Sequence, residues 1–313
     1  MIYLLPQLPV RNRYSQDWIN IWVRELKKLN VEFIVLGHNN PVKLTYFFTN
    51  PDEALRYECN QIKKLIKFKP RKILCLDTDF PGLITPAIQV LRLTNPELKT
   101  FGFLHAGSYN TGDIFEKTEG KKEIEEAMFK VFDKIFVSTN YHKEKIENYF
   151  GKKFENLEVV GLPFYKEDVL KYTEPIPFSQ KKLILLTGRI EQSDYSFVDT
   201  LRREFPSEVF QQLKAKNRRE YFNLLNKAKV VISLKKEETF GLTQLEAYVL
   251  GGIPLSPNRY AYPETIGIKE LLFNDFTDLV EKLRHLLTLK TNPFKIEIEK
   301  YSQTIQKIVE IMR

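Results

Sequence analysis

The chain has 313 residues, 43% of them hydrophobic and 28% charged, which is material for two packed domains and too ordinary a balance for a disordered or fibrous protein. No apolar run approaches the ~20 residues that span a bilayer, and Met1-Ile2-Tyr3-Leu4-Leu5-Pro6 lacks the basic start and cleavage site of a secretory leader, so a cytoplasmic location is expected. A formal charge of +8 and a pI of about 9.1 favour anionic partners such as nucleotide sugars, nucleic acid or lipid headgroups without choosing among them.

Ile2-Tyr3-Leu4-Leu5 reads as a strand, 6–14 as a loop, and the next stretch as a helix capped near Ser15 with Asp17 in its first turn. Trp18, Trp22, Leu26 and Leu29 share one helical face and read as core. Residues 31–37 form a second strand, giving a β-α-β opening. A basic amphipathic helix over 52–68 leads through Lys69-Pro70-Arg71-Lys72 into a strand at 73–76. Lys63, Lys64, Lys67, Lys69, Arg71 and Lys72 make the densest positive cluster of the N-terminal half, either a solvated face or a partner surface. Asp77-Thr78-Asp79 follows and invites a metal reading. The strand 100–104 then delivers His105 into a small and polar run, Ala106 to Asp113, where open α/β sheets place ligands. A helix over 121–131, a strand from Lys134, and a strand and turn over 157–163 complete this half. Residues 164–180, with Pro175 and Pro177 and no sustained apolar period, read as a connector. Cys59 and Cys75 have neither metal nor redox spacing.

Lys182 to Thr187 restarts the strand pattern and runs into Gly188-Arg189. A helix over 197–205, a short strand near Val209 and a helix over 218–228 precede the apolar run Val230-Val231-Ile232. That run gives way to charged residues and then, after Phe240-Gly241, to a helical pattern, so it reads as strand, loop, helix. The first-turn N–H groups of such a helix make an anion site above the strand end. Glu238 and Glu246 lie at that mouth. Two carboxylates beside an anion site repel an anion, so they are read as acceptors for hydroxyls attached to it; a sugar joined through phosphates to a ribose has both. A strand at 253–256, a short one at 271–273, a helix over 278–287 and a last helix within 294–313 follow, the last with Ile298, Tyr301, Ile305, Ile308 and Met312 on one face.

Glu238 to Glu246 with Phe-Gly-Leu-Thr between, the following Gly251-Gly252-Ile253-Pro254 and the turn Pro263-Glu264-Thr265-Ile266 resemble the E-x7-E region of retaining, GT4-like glycosyltransferases. The resemblance implies a GT-B fold: α/β, two Rossmann-like domains with an interdomain cleft. The domains would be an acceptor-side domain over 1–165 and a nucleotide-sugar domain over 181–290, with the segment 294–313 returning to the first. It also implies transfer of a hexosyl or pentosyl group from a UDP- or GDP-sugar without a further cofactor or metal. In that reading Glu246 binds the ribose hydroxyls, Glu238 the sugar hydroxyls, Arg189 the pyrophosphate, and His105 the sugar near the reacting carbon. Gly188, Phe240, Gly241, Leu242, Thr243 and Lys236 join the donor side, and Arg11, Arg13, Asp79 and Tyr109 the acceptor side. The chain departs from the family in two places: the first loop, Pro6 to Tyr14, lacks the glycine-rich run, and no lysine follows Arg189 within 190–194. Lys235 or Lys236 is then the compensating cation. Because the DxD of metal-dependent transferases belongs to another fold, Asp77 and Asp79 are assigned to the acceptor side instead. The acceptor is expected to be anionic, nucleic acid or an acidic lipid surface; a nucleic-acid-modifying transferase and a catalytically silent GT-B-like binding protein are the alternatives.

Overall fold

The computed structural model describes residues 1–11, 13–43, 52–113, 115–188 and 195–313. They fall into two units, Met1–Pro163 with Gln303–Arg313, and Phe164–Ser302.

Unit 1 runs β1 (Ile2–Leu5), α1 (Tyr14–Lys28), β2 (Phe33–Val35), α2 (Asp52–Phe68), β3 (Lys72–Cys75), α3 (Ile84–Thr94), β4 (Lys99–Phe103), α4 (Lys121–Val131), β5 (Lys134–Val137), α5 (Asn140–Phe150) and β6 (Leu157–Val159). Its six strands are all parallel, in the order β2-β1-β3-β4-β5-β6. Parallel strands are covered on both faces, which is why they read as unbroken apolar runs. Ile73, Leu74, Ile135, Phe136 and Val137 are accordingly inaccessible to solvent. Trp18 and Trp22 of α1 are buried and pack edge to face at 6.3 Å. The Trp18 indole N–H donates to the Leu76 carbonyl at 3.3 Å, which joins the helix to the end of β3.

Unit 2 runs α6 (Lys166–Leu170), β7 (Leu183–Thr187), α7 (Tyr195–Glu204), β8 (Val209–Gln212), α8 (Arg218–Lys227), β9 (Ala228–Ser233), α9 (Leu242–Val249), β10 (Ile253–Pro257), α10 (Tyr262–Thr265), β11 (Leu272–Phe273) and α11 (Phe276–Thr288). Its five strands are again parallel, in the order β11-β10-β9-β7-β8. A last helix, α12 (Thr304–Ile311), belongs to unit 1. There Ile305 and Ile308 are fully buried, and the Thr304 hydroxyl and the Lys307 ammonium donate to the carbonyls of Val160 and Val159.

Three local expectations change. Ser15 does not cap α1, which starts at Tyr14; its Oγ instead accepts the Val10 N–H at 3.1 Å, fastening the preceding loop. The C-terminal segment is not one helix: Glu299–Gln303 is a 3-10 turn, and Tyr301 packs in unit 2 edge to face on Phe240. The segment 164–180 is packed within unit 2 rather than a bare connector. Tyr172 stacks on Phe222 at 4.7 Å, and the Asn226 amide accepts the Ile176 N–H while donating to Thr173 and Glu174. Among the described residues no helix is long and apolar enough to cross a membrane.

Candidate functional site

In unit 2 the chain leaves β7 through Gly188, at φ +113°, and leaves β9 into the loop that precedes α9. A Cβ on residue 188 would come within 3.1 Å of the Lys235 backbone nitrogen, so only glycine lets these two strand ends lie so close. In the loop Lys235 forms an ion pair with Glu238, whose Oε1 also accepts the Phe240 N–H at 3.3 Å. Burial works to raise the Glu238 carboxyl, but the Lys235 ammonium and the N–H groups of Phe240 and Gly241 outweigh it and hold it below its ordinary value. Gly241, left-handed at φ +91°, is the N-cap of α9. At a helix start the N–H groups of Leu242 and Thr243 have no intrahelical acceptor and add to the positive end of the dipole.

Glu246 stands one turn further in and is only 3% exposed. Two side chains of α8 hold it. The Tyr221 hydroxyl donates to Oε2 and lies 3.1 Å from the Thr243 Oγ1, and the Arg218 guanidinium is 3.5 Å from Oε1. Arg218 in turn lies over the Phe222 ring, 4.6 Å from its centroid. Burial raises the Glu246 carboxyl against the lowering effect of Arg218 and Tyr221. Burial, with Glu246 beside it, pushes the Tyr221 phenol up as well and keeps it a neutral donor. These two partners were not legible as site residues. Asn217 and Glu220 mark the start of α8, since the Asn217 side chain accepts the Glu220 N–H, but which face of α8 meets Glu246 is a tertiary fact.

The other donor-side residues separate. Leu242 and Thr243 are half-buried at the start of α9, Lys236 is exposed, and Phe240 is buried against Tyr301. Lys235 is a cation paired with the first glutamate. Arg189 lies outside the described residues.

In unit 1, His105 follows β4 and is half-buried against Phe103, stacked at 4.8 Å, and Trp18 at 5.1 Å. Its Nε2 is 3.0 Å from the Leu76 carbonyl oxygen, which can only accept, so Nε2 carries the proton and Nδ1 the lone pair. Burial lowers its pKa to about 4, so the ring is neutral at pH 7. The two aspartates after β3 divide. Asp79 is buried, with Lys121 Nζ at 2.7 Å; Lys121 is itself buried and also lies 3.9 Å from Glu125 and 4.0 Å from the Phe115 ring centroid. Glu125 accepts the Ser108 N–H at 2.7 Å and the Ser108 hydroxyl at 2.5 Å. Asp79 is thus committed to an internal ion pair, and burial still raises its carboxyl despite Lys121. Asp77, half-buried, accepts the Asp79 N–H at 3.2 Å, and burial raises it to about 7. Tyr109 is also interior, its hydroxyl 2.8 Å from Nε2 of a fully buried His142. Of the acceptor-side set, then, Asp79 and Tyr109 face the core, while Arg11 and Arg13 are exposed and Asp77 is the carboxylate left at the strand end.

No protein-family model matches the chain. Among curated proteins it is similar to the tRNA-queuosine alpha-mannosyltransferase of Drosophila melanogaster, 42% identical over 66 residues, which take in 21% of this chain and 17% of that relative. The match therefore spans less than a fifth of the relative's length. Among solved structures the whole chain is similar to an E. coli trehalose-6-phosphate structure bound with UDP-2-fluoro glucose, at TM-score 0.64 and 12% identity over 99% of this chain and 95% of that one. It is also similar to a glycosyltransferase from Rickettsia africae (TM-score 0.59, 13% identity, 99% and 97% covered). A UDP-GlcNAc 2-epimerase from Methanocaldococcus jannaschii matches in the same way (TM-score 0.57, 13% identity, 100% and 99% covered). The fold is thus GT-B-like, two Rossmann-like units each built on a parallel sheet. A transferase and an epimerase share it, so the reaction has to be argued from the site.

Proposed function

We propose that this protein is a glycosyltransferase that moves a sugar, with retention of configuration, from a nucleoside-diphosphate sugar to a hydroxyl of an RNA nucleoside. The observation that carries the donor half is the start of α9: the first-turn N–H groups of Leu242 and Thr243, which have no intrahelical acceptor, flanked by Glu238 and Glu246 on either side of Gly241. The N–H groups and the helix dipole stabilise the diphosphate as its charge develops. Lys235 supplies a cation at the same loop. Arg189 is assigned to the diphosphate on the sequence resemblance alone. Glu246, already an acceptor for the Tyr221 hydroxyl, is suited to accept from a ribose hydroxyl, and Glu238, kept ionised, from a sugar hydroxyl. In the reaction the bond from the anomeric carbon to the diphosphate oxygen breaks and a bond to the acceptor oxygen forms. The acceptor proton goes to the departing diphosphate, so the products are nucleoside diphosphate and glycosylated RNA.

The acceptor class is supported by the Drosophila relative, whose description names a tRNA nucleoside, and by the charge of +8. Incubation with UDP- and GDP-sugars, with and without bulk tRNA, tests both halves. The expected result is nucleoside diphosphate released and a hexose or pentose mass added to a tRNA nucleoside. No release and no nucleoside-diphosphate binding with any donor would remove the donor assignment; release with no mass on RNA would remove the acceptor.

A further inference from the structure

Helix α2 buries Ala54, Tyr57, Glu58, Gln61 and Leu65. Its opposite side carries Arg56, Asn60, Lys63, Lys64 and Lys67, all exposed. These positions are four, three, one and three residues apart, so they form one stripe along the helix axis. The stripe is about 16 Å long at ~1.5 Å rise per residue. It continues past the helix end through the exposed Lys69 and Arg71. Among the described residues only Arg71 of this row meets a carboxylate, Glu97, at 3.8 Å and with both side chains largely in solvent. Several surface lysines elsewhere are paired, as Lys134 is with Glu158 and Lys153 with Glu147. The charge of the α2 row is therefore unneutralised, and it sits beside two exposed apolar side chains, Ile66 at 58% and Phe68 at 45%. The Phe68 ring has the Lys67 ammonium 6.0 Å from its centroid and helps line a hollow of about 520 Å³ with Tyr3, Lys69, Arg71, Lys72 and Arg313.

We infer that this stripe binds the phosphate backbone of RNA, with Phe68 stacking on an unpaired base at its end. The inference rests on the reading of the acceptor as RNA and says where that RNA is held. A row of cations tracking a backbone beside an accessible aromatic is the composition of single-strand recognition. A membrane surface fits less well, because an interfacial helix inserts its apolar face and the apolar face of α2 is spent on the core of unit 1.

The test compares the full chain with the triple variant Lys63→Glu/Lys64→Glu/Lys67→Glu and with Phe68→Ala. Affinities for bulk tRNA and for a single-stranded oligonucleotide are measured across a salt series, and for vesicles of phosphatidylcholine with phosphatidylserine in parallel. Because single-strand binding carries a salt slope of about 0.7 per phosphate neutralised, the triple variant is expected to flatten the slope by about 2 and to weaken binding by at least about tenfold at low salt. Phe68→Ala is expected to weaken oligonucleotide binding about 5- to 150-fold with the slope unchanged. The replaced lysines are exposed, so the midpoint of the triple variant stays put, and the neutral Lys→Ser triple gives the same direction if charge reversal disturbs the fold. Phe68 also packs on the buried Tyr3, rings 5.9 Å apart, so Phe68→Ala is assayed well below its own midpoint. Unchanged RNA affinity and slope in the triple variant overturn the inference, as does loss of vesicle binding with RNA binding intact. Wild-type protein that releases nucleoside diphosphate yet binds no RNA overturns it together with the RNA acceptor, while leaving the donor site standing. RNA binding lost in the variants of a protein that uses no sugar donor supports the stripe and removes the transferase.

Discussion

Replacing Glu246 separates what this carboxylate does for the fold from what it does for a nucleotide. It is 3% exposed and holds both the Tyr221 hydroxyl and the Arg218 guanidinium. Glu246→Ala strips both partners. Removing one member of a buried ion pair costs about 3–5 kcal/mol, and since the Arg218 side chain keeps 17% of its surface the lower end, about 3 kcal/mol, applies. At about 2–4 °C per kcal/mol for a domain of this size, the midpoint of unit 2 falls by about 6–12 °C. Glu246→Gln keeps an oxygen for Tyr221 and loses the charge, so it is the cleaner probe of binding. If a ribose hydroxyl donates to the carboxylate, that loss is one charge-assisted hydrogen bond, about 1.5–3 kcal/mol or about 10- to 150-fold in Kd. Glu238→Gln, by contrast, is expected to leave nucleoside-diphosphate affinity within about twofold and to lower turnover of the sugar donor. Calorimetry with UDP and GDP on both glutamine variants, read beside thermal melts, decides it. Affinity untouched in Glu246→Gln, or lowered equally in both, refutes the assignment of the pair.

Gly241→Ala forces a residue with a Cβ into φ +91° and sets that Cβ 2.9 Å from the buried Tyr262 ring. The backbone part alone costs about 1–2 kcal/mol, so a lower midpoint and weaker nucleotide binding are expected together; a silent substitution would show that α9 starts elsewhere. Lys121→Met leaves Asp79 and Glu125 buried without their shared ammonium, a loss of about 3–5 kcal/mol. Adding Asp79→Asn is expected to restore much of it in thermal melts. Asp77 binds its proton more tightly folded than unfolded, with its pKa raised to about 7 from the usual 3.8. Its contribution to stability is therefore complete below about pH 4 and lost as pH rises through 7, and Asp77→Asn should flatten that slope in denaturant titrations between those limits. Chelator is expected to leave donor turnover unchanged, because Asp79 is engaged by Lys121 and only Asp77 of the pair remains at the strand end; activity lost to chelator and regained with magnesium or manganese would reverse this reading.

Much of the architecture was legible because parallel strands covered on both faces leave unbroken apolar runs, as at Ile73-Leu74-Cys75 and Val230-Val231-Ile232. The start of α9 was legible for a local reason too: Gly241 supplies the left-handed N-cap, and the change of period after it is visible in the residues themselves. What failed to show was set by distant partners. Ser15 has the composition of a cap, but Val10 N–H reaches its Oγ first. The apolar spacing of Ile298 to Met312 suits one helix, yet Tyr301 is drawn to Phe240 and the helix begins only at Thr304. Asp77 and Asp79 are indistinguishable as letters. The ammonium that separates them lies on α4, more than forty residues away, and no local pattern announces it.

The same principle orders both strand-end clusters: the nearest cation decides what a carboxylate there can do. Lys121 fixes Asp79 as structure, and the cost of its burial is met by Lys121 Nζ bonding both its carboxylate and its carbonyl. Asp77, without a bonded cation of its own, meets burial by taking up a proton near neutral pH, and so can donate or accept. In unit 2 the balance runs the other way. Lys235 and two backbone N–H groups keep Glu238 ionised in spite of its burial, so it can only accept. An acceptor-only carboxylate next to a helix N-terminus selects a ligand that brings hydroxyls and an anion together. It discriminates against a bare phosphate, whose charge Glu238 repels with no sugar hydroxyl to offset it, and against a neutral sugar, which leaves the Leu242 and Thr243 N–H groups without an anion. That double requirement, more than the fold shared by transferases and an epimerase, is the ground on which we propose a sugar carried on a diphosphate as the ligand.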